Sequence, residues 1–317
     1  MHESRPRLIL PGGGGFLGRI VTSALLARDW DIIVLTRHPE RVSGPARAVQ
    51  WDGQTLDTWA RELEGAAAVL NLVGRSVNCR YHAANRGAIM NSRIESTRIL
   101  GQAIAGCRNP PPVWLNSSTA TIYRHSMDRP MDEATGEIGA TPEAMDAFSI
   151  EVARAWEQEF DAASVPATRK VALRTAMVFG LGTGGVFAVL RQLTRWGMGG
   201  SMAGGRQMVS WIHEEDFCRA IAWLIGRPDF GGVVNLAAPH PVTNAEMMQL
   251  FRRLCRVPFG LPATRWMLEA GTFLLRTESE LVVKSRYVVP GRLLAAGFEF
   301  RFSRLQEALA NLLQRVE

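Results

Sequence analysis

Short, solid apolar runs recur along this chain, separated by stretches in which apolar residues return every third or fourth position. The first pattern is that of a strand buried on both faces, the second that of a helix with one face inward. Leu8-Ile9-Leu10 runs into Pro11-Gly12-Gly13-Gly14-Gly15, and an amphipathic segment reaching about Arg28 leaves the glycines. That order is strand, tight turn, helix. Further strands are expected at 31–36, 49–52, 68–72, 113–116, 171–175 and 233–236. Helices are expected at 56–63, 80–105, 144–163, 186–196 and 214–225. Alternation of buried-type strands with helices predicts an α/β fold with a doubly wound parallel sheet.

The pattern changes from Pro239. Helices are expected at 244–254, opening on a cap at Thr243 or Asn244, at 266–275 and at 304–313. The expected organisation is therefore a Rossmann-type domain over 1–238 and a small, mostly helical C-terminal lobe over 239–317. A substrate-side insertion at about 180–210 contains the glycine-rich run Gly197 to Gly205. No internal repeat or low-complexity linker separates the parts. No apolar run approaches the ~20 residues that span a bilayer, so no membrane partner is expected. The polar start, Met1-His2-Glu3-Ser4-Arg5-Pro6, does not read as a signal peptide.

Charge narrows the ligand. The formal net charge is +6, carried almost wholly by arginine; the lysines are Lys170 and Lys284. The arginines are scattered, which argues against nucleic acid and for small anionic ligands, meaning phosphates. Cys79, Cys107, Cys218 and Cys255 lie far apart, without metal-ligand spacing. A reduced, cytoplasmic chain without a metal site is expected.

Gly12, Gly15 and Gly18 give the spacing G-x-x-G-x-x-G. Gly12 would make the turn, Gly15 would let a pyrophosphate approach the backbone, and Gly18 would let helix and strand pack closely, with Phe16 and Leu17 in the first helical turn. A flexible glycine run is the plainer alternative. The second strand ends in Thr36-Arg37, with Arg41 one turn on. An acidic residue there would bond ribose hydroxyls and favour NAD; arginines can pair a 2′-phosphate, which points to NADP(H). A solvated strand-end arginine is the alternative. Asp52 is placed either to meet the adenine edge or to build a turn. Leu72, Val73 and Gly74 end the fourth strand, where ligands sit in parallel sheets.

The strings Asn71-Leu72-Val73-Gly74, Ser117-Ser118-Thr119-Ala120-Thr121-Ile122-Tyr123 and Leu173-Arg174-Thr175-Ala176-Met177-Val178-Phe179-Gly180, together with the glycines, resemble the extended short-chain dehydrogenase/reductase superfamily. Three further strings are similar to its atypical branch labelled NAD(P)-dependent sugar-nucleotide epimerase, which has its own small C-terminal domain. They are Asn91-Ser92-Arg93-Ile94-Glu95-Ser96-Thr97, the run from Gly204 to His213, and the run from Pro290 to Phe298. The resemblance implies NADP contacts at Thr36-Arg37, Leu72-Val73, Arg93 and Val178. It also implies hydride transfer on a small-molecule substrate, a carbonyl compound or a nucleotide sugar.

One departure is decisive for chemistry. The superfamily uses Tyr-x-x-x-Lys, in which the lysine lowers the tyrosine pKa and holds the ribose. The tyrosines here are Tyr81, Tyr123 and Tyr287, and the residues four further on are Asn85, Met127 and Gly291. The expected dyad positions fall near Phe148 and Val152. Thr119 keeps the place of the third catalytic residue, which bonds the substrate oxygen. Candidates to move the proton are Tyr123, His125 and His213, each with a packing or capping alternative. Arg206, after the glycine-rich run, is the candidate anchor for a substrate diphosphate. Two functions remain open: an NADP(H)-dependent reductase or epimerase-like enzyme, and a non-catalytic NADP(H)-binding sensor or interaction protein. Outward-facing helices of such a sheet can pair across a homodimer.

Overall fold

The computed structural model describes residues 5–264 and 280–316. The helix expected at 266–275 lies outside the described residues. Six parallel strands come first: β1 (Arg7–Pro11), β2 (Asp31–Thr36), β3 (Arg47–Gln50), β4 (Ala68–Asn71), β5 (Val113–Thr119) and β6 (Arg169–Thr175). Three short strands follow, β7 (Met177–Phe179), β8 (Met208–Val209) and β9 (Trp211–His213), then β10 (Gly232–Leu236) and β11 (Val242–Thr243). The main sheet has seven strands in the order β10-β6-β5-β4-β1-β2-β3. Its pairs are all parallel. The order reverses between β1 and β4, which opens a crevice at their C-terminal ends.

Helices α1 (Phe16–Leu26), α2 (Ala83–Ala105), α3 (Ala147–Ala162), α4 (Val186–Arg195), α5 (Glu214–Ile225) and α6 (Asn244–Leu254) complete the frame. The strands are apolar on both sides because both faces are covered. Leu8, Leu10, Ile32 and Val34 join one core, which α1 and α5 close with Val21, Leu25, Phe217 and Ile221. Ile9, Ile33 and Leu35 join the other, beneath Leu100, Ile104 and Phe160 of α2 and α3. This is the period-2 geometry of a strand applied to a two-sided core.

A third core gathers Phe179, Phe187, Leu190 and Trp211 with Met247, Met248 and Phe251 of α6 and with Leu305, Leu309 and Leu312 of the terminal helix Leu305–Gln314. Residues on both sides of the expected boundary at 238 thus share one core. β8 pairs antiparallel with β11 across that boundary, while β7 pairs parallel with β9 before it. A capping box at Thr243 and Glu246 starts α6.

Some elements differ from expectation. The segment expected as a helix over 56–63 is a 3₁₀ turn, Thr58–Leu63, capped by the Asp57 side chain. Trp59 Nε1 donates to the Thr55 carbonyl at 2.9 Å, which anchors Trp59 in the core. Helix α3 starts later than 144 because Met145 is left-handed, φ 52°, and the buried Asp146 is held by Lys284 and by the Thr141 amide. Among the described residues no helix is long and apolar enough to cross a membrane.

Candidate functional site

The glycine loop sits at the crevice. Gly12 has φ 78°, and its amide donates to the Leu35 carbonyl at 3.1 Å. A Cβ there would stand 2.9 Å from the Leu72 carbonyl and the Val73 nitrogen, so only glycine lets the β1 end pass the β4 end this closely. Gly15 precedes α1 as its N-cap, and the first turn carries no acidic side chain. Its N–H groups and helix dipole therefore stay available to an anion. Gly18 packs on the backbone of Gly13, where a Cβ would collide. It supports the loop rather than facing a ligand. Arg19 steadies the same loop, donating to the Gly14 carbonyl at 2.6 Å and the Thr183 carbonyl at 2.7 Å.

A cleft of about 590 Å³ opens over this loop, within the size range of small-molecule and cofactor sites. Of the residues singled out from sequence it brings together Gly12, Gly15, Thr36, Arg37, Arg41, Asp52, Leu72, Val73 and Gly74. It adds Gly14, His38, Trp51, Gln54, Arg75, Asn91, Ser92 and Glu95, which sequence reasoning did not place. Among the described residues Arg37 forms no ion pair, whereas Arg41 lies 3.7 Å from Glu40. Asp52 does build a turn: one carboxylate oxygen accepts the amides of Gln54 and Thr55, and the other the Thr55 hydroxyl at 2.7 Å. Against some desolvation, these hydrogen bonds hold its carboxyl below the usual range.

Four expected cofactor side chains, Phe16, Leu17, Arg93 and Val178, do not line the cleft. The Phe16 ring lies beneath Gly185, and Leu17 packs against the first core. What these two can offer a ligand is their backbone N–H at the start of α1. Val178 is buried in β7 within the same core.

Through Arg93, a second, smaller cavity adjoins the cleft wall at Gly74. A Cβ on Gly74 would stand 3.1 Å from the Arg93 guanidinium, and Arg93 lines a pocket of about 130 Å³. Thr119 lines it too, at the end of β5, with its hydroxyl oxygen accepting the Thr121 amide at 3.1 Å. Phe148 and Val152, one helical turn apart on α3, form its wall with Val77, Tyr81, Ile89 and Trp156. Ser149 and Glu280 complete the lining with Thr121. Phe148 and Val152, the positions expected for a Tyr/Lys pair, thus put two apolar side chains in the wall of this pocket. Arg93 donates through Nη1 to the Ile89 and Arg75 carbonyls at 3.0 and 3.2 Å and lies over the Trp156 ring. It has no carboxylate partner among the described residues. Burial pulls its pKa down to about 10, so it remains a cation with Nε and Nη2 unspent.

The remaining candidates sit elsewhere. The strand ends at Thr119, and a 3₁₀ turn, Ala120–Ile122, swings Tyr123 away from the pocket. Its hydroxyl donates to Asn235 at 3.0 Å and accepts from Arg174 at 3.0 Å. Burial pushes the phenol's pKa up. His125 Nδ1 accepts the Ser285 amide, and desolvation lowers its pKa. His213 is fully buried, caps α5 by accepting the Glu215 amide at 3.1 Å, and stacks on Phe302. Desolvation pulls its pKa to about 4, so it is a neutral packing residue. Arg206 is exposed, outside both cavities. Among the described residues no group of three or more His, Cys, Asp or Glu could hold a metal ion.

Known proteins are similar to this chain in sequence and fold. "Epimerase family protein SDR39U1" of Bos taurus is 30% identical over 315 residues, covering 97% of this chain and 99% of that protein. A crystal structure of the human epimerase family protein SDR39U1 with NADPH superposes with a TM-score of 0.84 at 27% identity, covering 97% of this chain and 99% of that one. The structure of MoeE5 with UDP-glucose and NAD has a TM-score of 0.75 at 18% identity, covering 98% of both chains, a likeness of fold. Residues 263–312 match the domain of unknown function DUF1731. Residues 8–237, which hold the glycine loop, the Arg37 strand end and Thr119, match the model of the NAD dependent epimerase/dehydratase family, and the chain belongs to that family.

Proposed function

We propose that this protein binds NADP(H) along the large cleft and serves hydride transfer on a carbonyl compound or nucleotide sugar in the pocket beyond Gly74. The observation that carries the reading is the pairing of the open α1 N-terminus with Arg37, which follows β2 and has no ion-pair partner among the described residues, both facing one cleft. The residues present fit the group. The pyrophosphate would lie on the amides after Gly12. Arg37 and Arg41 would take the 2′-phosphate, with the adenosine toward Trp51 and Asp52. The other end would run past Leu72, Val73 and Gly74 to Arg93. The related human protein holds NADPH, which supports the same cofactor here. When bound, the dinucleotide supplies the hydride. This chain's own residues hold and orient it, and Thr119 offers a hydroxyl to the substrate oxygen.

The test is fluorescence titration with NADPH and NADH. Arg37→Asp should weaken NADPH about 10- to 100-fold, the worth of one charged hydrogen-bonded contact, and leave NADH unharmed or improved. An unchanged preference would sink the assignment. A second reading, a non-catalytic NADP(H)-binding protein, is favoured by Phe148 and Val152 where the proton-transfer pair would stand. It predicts tight NADPH binding and no turnover of any carbonyl or nucleotide sugar.

A further inference from the structure

Among the described residues the small pocket has one carboxyl, and the C-terminal part of the chain supplies it. Glu280 is 5% exposed and lines the pocket with Thr119 and Ser149. Ser149, the residue after Phe148 on α3, donates its hydroxyl to one Glu280 oxygen. Among the described residues the other oxygen, Oε2, has no hydrogen-bond partner. A buried carboxyl with an unspent oxygen beside a cavity is costly unless it is protonated or meets a ligand. Among the described residues Arg286, Lys284 and Asp146 are the charged groups that act on it, and the Arg93 cation lines the same pocket. Lys284 is committed to Asp146 and to the Thr121 carbonyl, and the Arg286 guanidinium donates to Thr121 Oγ1 and the Lys284 carbonyl. Burial holds the Glu280 carboxyl above the usual range, outweighing the Ser149 hydrogen bond and these cations.

We propose that Glu280 is the acid–base group of this pocket, supplying from the second lobe the proton that the absent tyrosine cannot, to a compact aldehyde or ketone whose oxygen lies between Glu280 and Thr119. The inference rests on the cofactor reading above. In reduction the Glu280 O–H bond breaks and its proton joins the substrate oxygen. That oxygen takes the π pair of the C=O bond as the carbon accepts hydride from the reduced dinucleotide. The product is an alcohol, and the carboxylate left behind recovers its proton from water. Oxidation of the alcohol runs the same steps backwards. The substrate class follows from size and wall. A cavity of 130 Å³ is close to the roughly 150 Å³ space that takes up benzene, about six non-hydrogen atoms. Five apolar side chains, Val77, Ile89, Phe148, Val152 and Trp156, face it.

The experiment uses the full chain and the variants Glu280→Gln and Ser149→Ala, with NADPH affinity and the circular-dichroism melt as controls of folding. Wild type should reduce members of a panel of small aldehydes and ketones, with a rate that falls as pH rises through a raised carboxyl pKa. Glu280→Gln should bind NADPH unchanged, lose ~10²-fold or more in kcat, and lose that pH dependence. Ser149→Ala should move the pH dependence and keep most of the rate. Independently of turnover, infrared titration of the cofactor-free protein should show a carboxylic-acid C=O band that Glu280→Gln lacks. NADPH binding without reduction of any compact carbonyl, an unchanged rate and pH profile in Glu280→Gln, or no such band overturns the proposal while leaving the cofactor reading standing. Failure of wild type to bind NADPH overturns that reading and, with it, the proton step.

Discussion

Two arginines enclosed by this fold behave in opposite ways. Arg174 on β6 is 6% exposed and meets Glu157 through two parallel hydrogen bonds, Nε to Oε1 at 2.8 Å and Nη2 to Oε2 at 2.7 Å. Its Nη1 donates to the Tyr123 hydroxyl, and Ser118 donates to Glu157 at 2.5 Å. Although desolvation opposes it, this pairing drives the guanidinium's pKa upward. Arg93 on α2 has carbonyls and a Trp156 ring for company but, among the described residues, no carboxylate in hydrogen-bond contact, and burial lowers its pKa. A charge matched by the chain itself holds the sheet to α3. A charge left unmatched beside a cavity is available to a ligand's oxygen. Burial alone does not separate structure from function; completeness of pairing does.

The comparison breaks most sharply at Arg174. Arg174→Met strands Glu157 as a buried, unpaired carboxylate and takes a partner from Tyr123. The expected cost is about 3–5 kcal/mol of stability, read from chemical denaturation. NADPH affinity of the remaining folded protein should be unchanged. A loss below ~1 kcal/mol would show that the pair is solvated in solution and that the contrast with Arg93 is overdrawn.

How much of this was legible in the sequence follows from the same distinction. The glycine spacing, the apolar strands and the Arg37 strand end are local, and local patterns carry their geometry with them. Gly12 could be read because a turn that tight has few solutions. Tyr123 could not. It follows Thr119 closely in the chain, yet the Thr119 side chain caps a 3₁₀ turn that sends Tyr123 to a different layer. Its partner Asn235 is 112 residues away. His213 reads equally well as a proton carrier or a helix cap until Phe302 is found stacked on it. Glu280 is joined to Ser149 across 131 residues, and no spacing rule reaches that far. Val178, Phe16 and Leu17 fell in strings of the right family, but their side chains complete the core around the cleft.

Arg93 gives the next largest effect, in binding rather than stability. Arg93→Met removes a cation whose charge nothing in the described chain balances, so the melt should hold or rise slightly. NADPH affinity should fall about 10- to 100-fold, the worth of one or two charged hydrogen bonds. Titration of the variant with NADPH alongside its thermal melt checks both halves. A large loss of stability with unaltered affinity would place Arg93 in the same class as Arg174.

Tyr123→Phe is the finest discriminator, because it removes one oxygen from the completed network and nothing from the pocket. Asn235 Oδ1 loses a donor and Arg174 Nη1 an acceptor, while Phe keeps the ring over which Arg174 lies at 4.9 Å. Leaving those buried groups short costs about 1–3 kcal/mol, visible as a lowered melt. Hydride transfer and its pH profile should match wild type, since the phenol points at Asn235 and Arg174, and burial opposes its ionisation. A loss of ~10²-fold in kcat at unchanged NADPH affinity would return Tyr123 to the reaction and remove the reason to assign the proton to Glu280.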